Sequence, residues 1–354
     1  MAGELRRNPI TGVSVVIAPE REKPLEKLRR AIAREWPTHK FNSQLVSGEN
    51  CPFDEGREGK TPPEFRAYRT TGTKANKPGW WVRAIPNLYP AFDHLVPSEF
   101  LEAKKSGPFM VKGAYGLHYV VVESPLHNES LATIPLGQVR EVLHMWRDLT
   151  HMTSGVRNII YVLIFENYGP LAGASQPHPH SQLVGSSDVP PKINTEFRGA
   201  ERYLEEQGRC FYCEEKDWEL AEGVRIIEET EHFFAWCPYT SETPYKIEIA
   251  PKSHQSYFAN ISCYTPPTDA LSEFAGLLQR TLKRQKVVLN DPDYSQYVHT
   301  GPTDQPEMLA YHWHFHIEPI TEAIQAGLEK GAGVFINPRS PESAAADLRN
   351  ANID

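Results

Sequence analysis

The chain has 354 residues, 40% hydrophobic and 23% charged, enough for two ordinary domains or one large one around a sizeable core. Its net charge of −8 argues against a general nucleic-acid binder, which is normally basic, while leaving room for a local basic pocket that takes a nucleotide. No apolar run approaches the ~20 residues needed to span a membrane, and the segment Met1 to Arg7 lacks the apolar core of a secretion signal, so a cytoplasmic protein is expected.

In chain order, Ser14 to Ala18 reads as a strand, followed by a charged stretch. Residues 60–80 and 95–112, rich in Pro, Gly and Lys, read as loops. His118 to Glu123 is a β-rich run. Over 136–156, Val139, Val142, Leu143, Trp146 and Leu149 fall at helical spacing and predict an amphipathic helix. The apolar run Asn158 to Phe165 predicts a buried strand, and 186–200, with two prolines, reads as a linker. Tyr245 to Pro251 predicts a strand, and 269–286 carries Leu271, Phe274, Leu277, Leu278 and Leu282 at helical spacing. In the last run, Tyr311, Trp313, Phe315 and Ile317 alternate with His312, His314 and His316, giving one apolar face and one imidazole face.

This order repeats. A thiol (Cys51, then Cys210), a strand ending Pro-Leu-His (His127) or Pro-Lys-Ser-His (His254), a helix, and a His-x-His pair (His178 and His180, then His312 and His314) recur in both halves. The pattern predicts a duplicated unit of roughly 150 residues, divided as 1–195 and 196–354. One helix per set of strands gives an α+β class with largely antiparallel sheet and packed helices.

Leu171 to Leu183 reads Leu-Ala-Gly-Ala-Ser-Gln-Pro-His-Pro-His-Ser-Gln-Leu, two histidines behind a Gly/Ser-rich bend. Such a bend brings main-chain N–H groups to an anion, and a neutral imidazole can act as a nucleophile on phosphorus. Ser175, Ser181, Gln182 and main-chain N–H groups are candidate donors to the phosphate oxygens. The bland alternative is a pair of hydrogen-bonded loop histidines. Cys210, Cys213, His254 and His312 form a candidate Cys₂His₂ zinc set, preferred over a redox pair or a buried pair of thiols. The matching first-half set is Cys51, Asp54, His127 and His178, with Cys51 as a plain buried thiol the alternative. A strand places His312 and His316 about 13 Å apart at the backbone, so they are expected to do different work.

At these residues the chain resembles the galactose-1-phosphate uridylyltransferase family of the histidine-triad superfamily. The resemblance rests on Asn8-Pro-Ile-Thr-Gly12, Cys51-Pro-Phe53, Thr61-Pro-Pro-Glu64, Asn87-Leu-Tyr-Pro-Ala91, Glu123-Ser-Pro-Leu-His127, Glu166-Asn167 and Ser175-Gln-Pro-His-Pro-His-Ser-Gln182. It implies two histidine-triad-like halves and a ping-pong nucleotidyltransferase working on a nucleoside-diphosphate sugar and a sugar 1-phosphate. His180 matches the nucleophile and His178 a metal-linked position. Gln182 stands where hydrolytic relatives have a third histidine, which disfavours hydrolysis. Arg21, Asn87, Asn167, Gly173 and Ser175 match phosphate or nucleoside contacts. The resemblance also implies zinc, with iron the alternative metal, and a homodimer whose sites are completed across the interface.

Three departures matter. Ser181 replaces a usual Gly, Leu88 replaces an Asp that contacts the nucleoside, and Gly331 and Asn337 stand where the galactose enzymes grip hexose hydroxyls with an acidic residue and a Gln. The first and third are features of plant-type ADP-glucose phosphorylases. The leading expectation is exchange between UDP-glucose and galactose 1-phosphate. An ADP-glucose phosphorylase or adenylyltransferase is the runner-up, and a zinc-stapled nucleotide-binding protein without turnover is the reading from another class.

Overall fold

A computed structural model describes residues 3–22, 51–97, 101–263, 269–321 and 326–353. Part of the charged stretch after Ala18 lies outside them. Near the N-terminus β1 (Glu4–Arg7) pairs with β2 (Ser14–Ile17). The first half continues with β3 (Arg66–Arg69), β4 (Trp80–Pro86), the hairpin β5 (Lys104–Ser106) and β6 (Phe109–Val111), and β7 (Gly116–Val122). Helix α1 (Leu136–Ser154), β8 (Tyr161–Tyr168) and β9 (His180–Ser186) complete it. After α2 (Pro191–Gln207) and α3 (Phe211–Glu222) come β10 (Ile226–Glu229), β11 (Phe233–Trp236), β12 (Ile247–Pro251), α4 (Ala270–Leu289), β13 (Tyr294–His299) and β14 (His314–Pro319). The chain ends with α5 (Gly327–Ala332), β15 (Val334–Asn337) and α6 (Pro341–Arg349).

Ten strands form one antiparallel sheet in the order β10-β11-β12-β14-β13-β8-β9-β7-β4-β3. Read inward from each end, the halves have the same order and the same chain path, three strands, a helix and two strands. They meet at β8 and β13, where Asn167 faces Ser295 and Ile164 faces Val298. The expected duplication is therefore present, as two halves of a single sheet. Helices α1 and α4 pack together on one face. Between them and the sheet runs one core drawing on both halves, with Val139, Val142, Leu143 and Trp146 beside Leu271, Phe274, Trp313 and Phe315. Trp146 stacks on Phe315 across the junction, ring centroids 6.2 Å apart. Helix α2 covers part of the opposite face through Ile193, Phe197 and Ala200 against Tyr161 and Tyr311. No helix among the described residues is long and apolar enough to cross a membrane.

Several expected elements need correction. The linker read at 186–200 is mostly α2, so the division expected at 195/196 falls inside a helix. Its prolines mislead because Pro191 occupies the first helical position, where a missing N–H costs nothing. The loops read at 60–80 and 95–112 contain β3 and the β5–β6 hairpin. These are strands of three or four residues without alternating burial, one at a sheet edge and two exposed, so periodicity carries no signal. The strand read from Asn158 begins at Tyr161, because Asn158 sits at φ 65° in a left-handed turn.

Two positions in this framework give expected results. Gly199 of α2 lies against the Asn8–Gly12 turn, where an added Cβ would fall 2.0 Å from the Ile10 carbonyl oxygen. Gly199→Ala gains at most about 1 kcal/mol of helix propensity, but overpacking against backbone costs about 1–3 kcal/mol. The denaturant midpoint should fall, and an unchanged midpoint would show that the turn yields freely.

Glu166 and Glu123 are buried near each other; burial holds Glu166 up at about 8, and burial followed by the Glu166 charge raises Glu123. Gln296 donates to the Glu166 carboxyl. A carboxyl raised by folding binds protons that the unfolded chain releases, so stability falls as pH rises from about 4.5 towards 8, by up to about 1.4 kcal/mol per pH unit for one group. Glu166→Gln should flatten this slope in denaturation measured at several pH values.

Candidate active site

Strand β9 places its side chains by alternation. His180 and Gln182 face away from α1, and Ser181 faces towards it. The His180 ring lies 5.4 Å from that of Phe53 and is 8% exposed. It lines a cavity of about 680 Å³ formed with Asn167, Gly169, Pro177 and residues 127–130. The second half supplies another wall through Lys286, Asn290, Asp291 and Asp293.

The ring's protonation is fixed by its neighbour. His180 Nδ1 lies 2.8 Å from the His178 carbonyl oxygen, which can only accept, so Nδ1 carries the proton and Nε2 keeps its lone pair. Burial pulls His180 below the ordinary imidazole range. The result is a neutral imidazole at the wall of a cavity, as a nucleophile requires.

His178 turns its own ring to another group. Its Nε2–H donates to Ser124 O at 2.7 Å, leaving Nδ1 3.0 Å from Asp54 Oδ1 and 3.4 Å from His127 Nδ1. Cys51, Asp54, His127 and His178 offer ligand atoms within 4.8 Å of one another. Cys210, Cys213, His254 and His312 form a second such group, with Cys213 Sγ 3.3 Å from His312 Nε2 and 3.6 Å from His254 Nδ1. His254 donates from Nε2 to Met308 O, so its Nδ1 lone pair turns inward. Without a cation, burial first of all pushes the Cys51 and Cys210 thiols up to about 11. Both donor sets fit a tetrahedral metal that would hold the sulfurs as thiolates.

The structure redirects several expected contacts. The Ser181 hydroxyl is fully buried and accepts from Trp146 Nε1 at 2.6 Å, so it is a core anchor and not a phosphate donor. Asn337 is fully buried and spends its amide on the Ser241 and Thr243 carbonyls at 2.9 and 3.2 Å, so it does not reach a substrate. Gly173 and Ser175 are exposed on the bend after β8. Arg21 is exposed at the end of a short 3-10 turn and does not line the cavity. Asn167 lines it, its Oδ1 accepting from Ser295 at 3.2 Å. Asn87 and Gln182 lie together, 3.3 Å from Nδ2 to Oε1.

Other residues were not anticipated. Asp293 accepts from the Leu171 backbone N–H at 2.6 Å and holds the bend from the second half. His118 contacts Gln182. Glu196 and His299 join His314 and His316 behind α2, where the three imidazoles offer nitrogens within 4.8 Å of one another. His314 repeats the His180 bond, Nδ1 to the His312 carbonyl at 3.0 Å, but its Nε2 lies 3.7 Å from the buried Glu196 carboxylate. The second copy thus has a carboxylate in front of the nitrogen that in the first copy is left for the cavity. Residues on separate elements give no local sequence signal, which is why spacing did not assemble this group.

The duplicated sheet, the neutral cavity histidine and the two donor sets fit a nucleotidyltransferase. Residues 66–190 match the N-terminal domain of galactose-1-phosphate uridyl transferase. The chain is 32% identical to the ADP-glucose phosphorylase of Arabidopsis thaliana over 99% of its own length and 93% of the relative's. It is 33% identical to the galactose-1-phosphate uridylyltransferase of Thermotoga maritima over 76% of its length and 84% of the relative's. A crystal structure of the Arabidopsis ADP-glucose phosphorylase with bound ADP-glucose superposes with a TM-score of 0.80 at 30% identity, covering all of both chains. The chain belongs to the galactose-1-phosphate uridylyltransferase family.

Proposed function

We propose that the enzyme transfers a nucleoside monophosphate from a nucleoside-diphosphate hexose through a covalent intermediate on His180, with ADP-glucose as donor and inorganic phosphate as acceptor. The observation that carries this reading is the His180 tautomer, with Nε2 left free at the cavity. Nε2 attacks the α-phosphorus, and the bond to the bridging oxygen breaks. Sugar 1-phosphate leaves with that electron pair. The imidazole keeps its Nδ1 proton on the His178 carbonyl, which stabilises the positive charge of the phosphorylated ring. A phosphate oxygen then attacks the same phosphorus and frees Nε2.

Gln182 donates to a phosphate oxygen without exchanging a proton, which suits transfer over hydrolysis. Asn167, Asn87 and the bend at Gly173 and Ser175 supply further polar contacts. Cys51, Asp54, His127 and His178 would hold one zinc, and Cys210, Cys213, His254 and His312 another. The first would fix the backbone that carries the His178 carbonyl. Exposed Arg21 is read as serving the partner copy's cavity in a cytoplasmic homodimer, and the two halves of the sheet that meet at β8 and β13 as the histidine-triad-like units.

Near-complete coverage by the ADP-glucose phosphorylase relative supports adenosine and phosphate over the UDP-glucose and galactose 1-phosphate pair. So does the commitment of Asn337 to its own chain, which leaves no hexose grip at that position. Incubation with ADP-glucose or with UDP-glucose, followed by intact-mass measurement, should show gain of an AMP from the first. Gain of a UMP alone would transfer the assignment to the uridylyl reading, and no gain from either would remove the covalent mechanism.

A further inference from the structure

Two backbone N–H groups in the loop Asn87–Ala91 determine which end of the Gln182 amide is held and which is left over. The Ala91 N–H lies 3.1 Å from His118 Nδ1 and can only donate. His118 Nδ1 is therefore the lone-pair nitrogen, and Nε2 carries the proton. That Nε2 lies 2.8 Å from the end of Gln182, so the Gln182 atom there must accept and is Oε1. The Tyr89 N–H donates to Asn87 Oδ1 at 2.9 Å, which makes the other end of Asn87 its NH₂. That group reaches the same Gln182 Oε1 at 3.3 Å. His118 and Asn87, 3.2 Å apart, thus both donate into one carbonyl oxygen. Burial pulls His118 below the ordinary imidazole range, so the ring stays neutral and the Ala91 contact persists.

We propose that His118 is a positioning residue that locks the Gln182 side chain with its oxygen occupied and its NH₂ group presented to the transferring phosphate. A free amide flips between two faces of similar shape, and the wrong face would set a carbonyl oxygen against phosphate oxygens. With the oxygen held by two donors, only the donor end remains. The role rests on the proposed transfer chemistry, because it assigns Gln182 to the phosphate. It also accounts for the Asn87-Leu-Tyr-Pro-Ala91 segment, whose backbone sets both neighbours of Gln182.

The test is a double-mutant cycle with His118→Phe and Gln182→Ala, plus His118→Gln, which keeps a side-chain N–H near the Nε2 position. Two readouts are taken, affinity for AMP and UMP by calorimetry and the single-turnover rate of His180 labelling from ADP-glucose and UDP-glucose. His118→Phe should slow labelling about 10-fold or more and weaken the preferred monophosphate, since losing a whole oxyanion donor costs about 10²–10³-fold. His118→Gln should recover most of the loss. In the Gln182→Ala background His118→Phe should change either readout less than about twofold. Equal losses in both backgrounds would make His118 a general structural residue and overturn the proposal, as would an inert His118→Phe beside a damaging Gln182→Ala. Affinity does not need the covalent step, so the cycle still decides if His180 is never labelled, a result that would instead sink the transfer chemistry.

Discussion

Replacing His180 by Gly should abolish nucleotidyl labelling and lower transfer by about 10⁴-fold or more, at least about 5 kcal/mol of barrier. The attacking atom is lost, and the nitrogens of His178 and His118 are committed elsewhere. His178 commits Nε2–H to Ser124 O and turns Nδ1 towards Asp54 and His127. His118 commits Nδ1 to the Ala91 N–H and Nε2–H to Gln182. The fold should survive, because His180 opens the strand at the edge of a cavity and its cross-strand partner Val122 stays packed. The check is single-turnover transfer beside circular dichroism and thermal melting. A variant that folds normally and retains the parent's rate would refute the nucleophile assignment.

The second large effect concerns stability. Cys210→Ser should remove one metal equivalent and cost about 4 kcal/mol of stability, because metal binding and folding draw on the same free energy. The donors come from widely separated places: Cys210 and Cys213 at the start of α3, His254 after β12, and His312 before β14. A cation there closes long loops and neutralises buried thiolates. Metal analysis and the melting midpoint, with and without chelator, provide the check. The variant should keep the first metal and melt below the parent, and chelator should lower its midpoint by less than it lowers the parent's. Parent and variant with equal metal content and equal midpoints would show that the four donors hold no structural ion.

The architecture was largely legible in the sequence because the duplication repeats motifs of distinctive composition. The helices around Trp146 and Phe274 carry long apolar periodicities, and the alternation from Tyr311 to Ile317 survives as Trp313 and Phe315 in the core with His314 and His316 on the other face. Both four-residue donor sets were readable because thiols and imidazoles in matching order restrict the alternatives. The errors have physical causes. Ser181 looked like a phosphate contact by proximity, but period-two alternation turns it onto Trp146. Asn337 aligned with a sugar-binding position, yet its amide closes the turn at Ser241 and Thr243. His118 and Glu196 act through partners distant in the chain, which no local pattern encodes.

The seam between β8 and β13 bears on assembly. Two separate copies of one half, meeting strand to strand there, would form a subunit interface whose occupancy falls on dilution. Carried on one polypeptide, the same surfaces face each other at an effective concentration set by the connecting segment and independent of dilution. The cavity wall contributed by Asp293 is therefore present in a single molecule at any dilution. One half carries Glu196 before its histidine nitrogen, while the other leaves the matching nitrogen to the cavity.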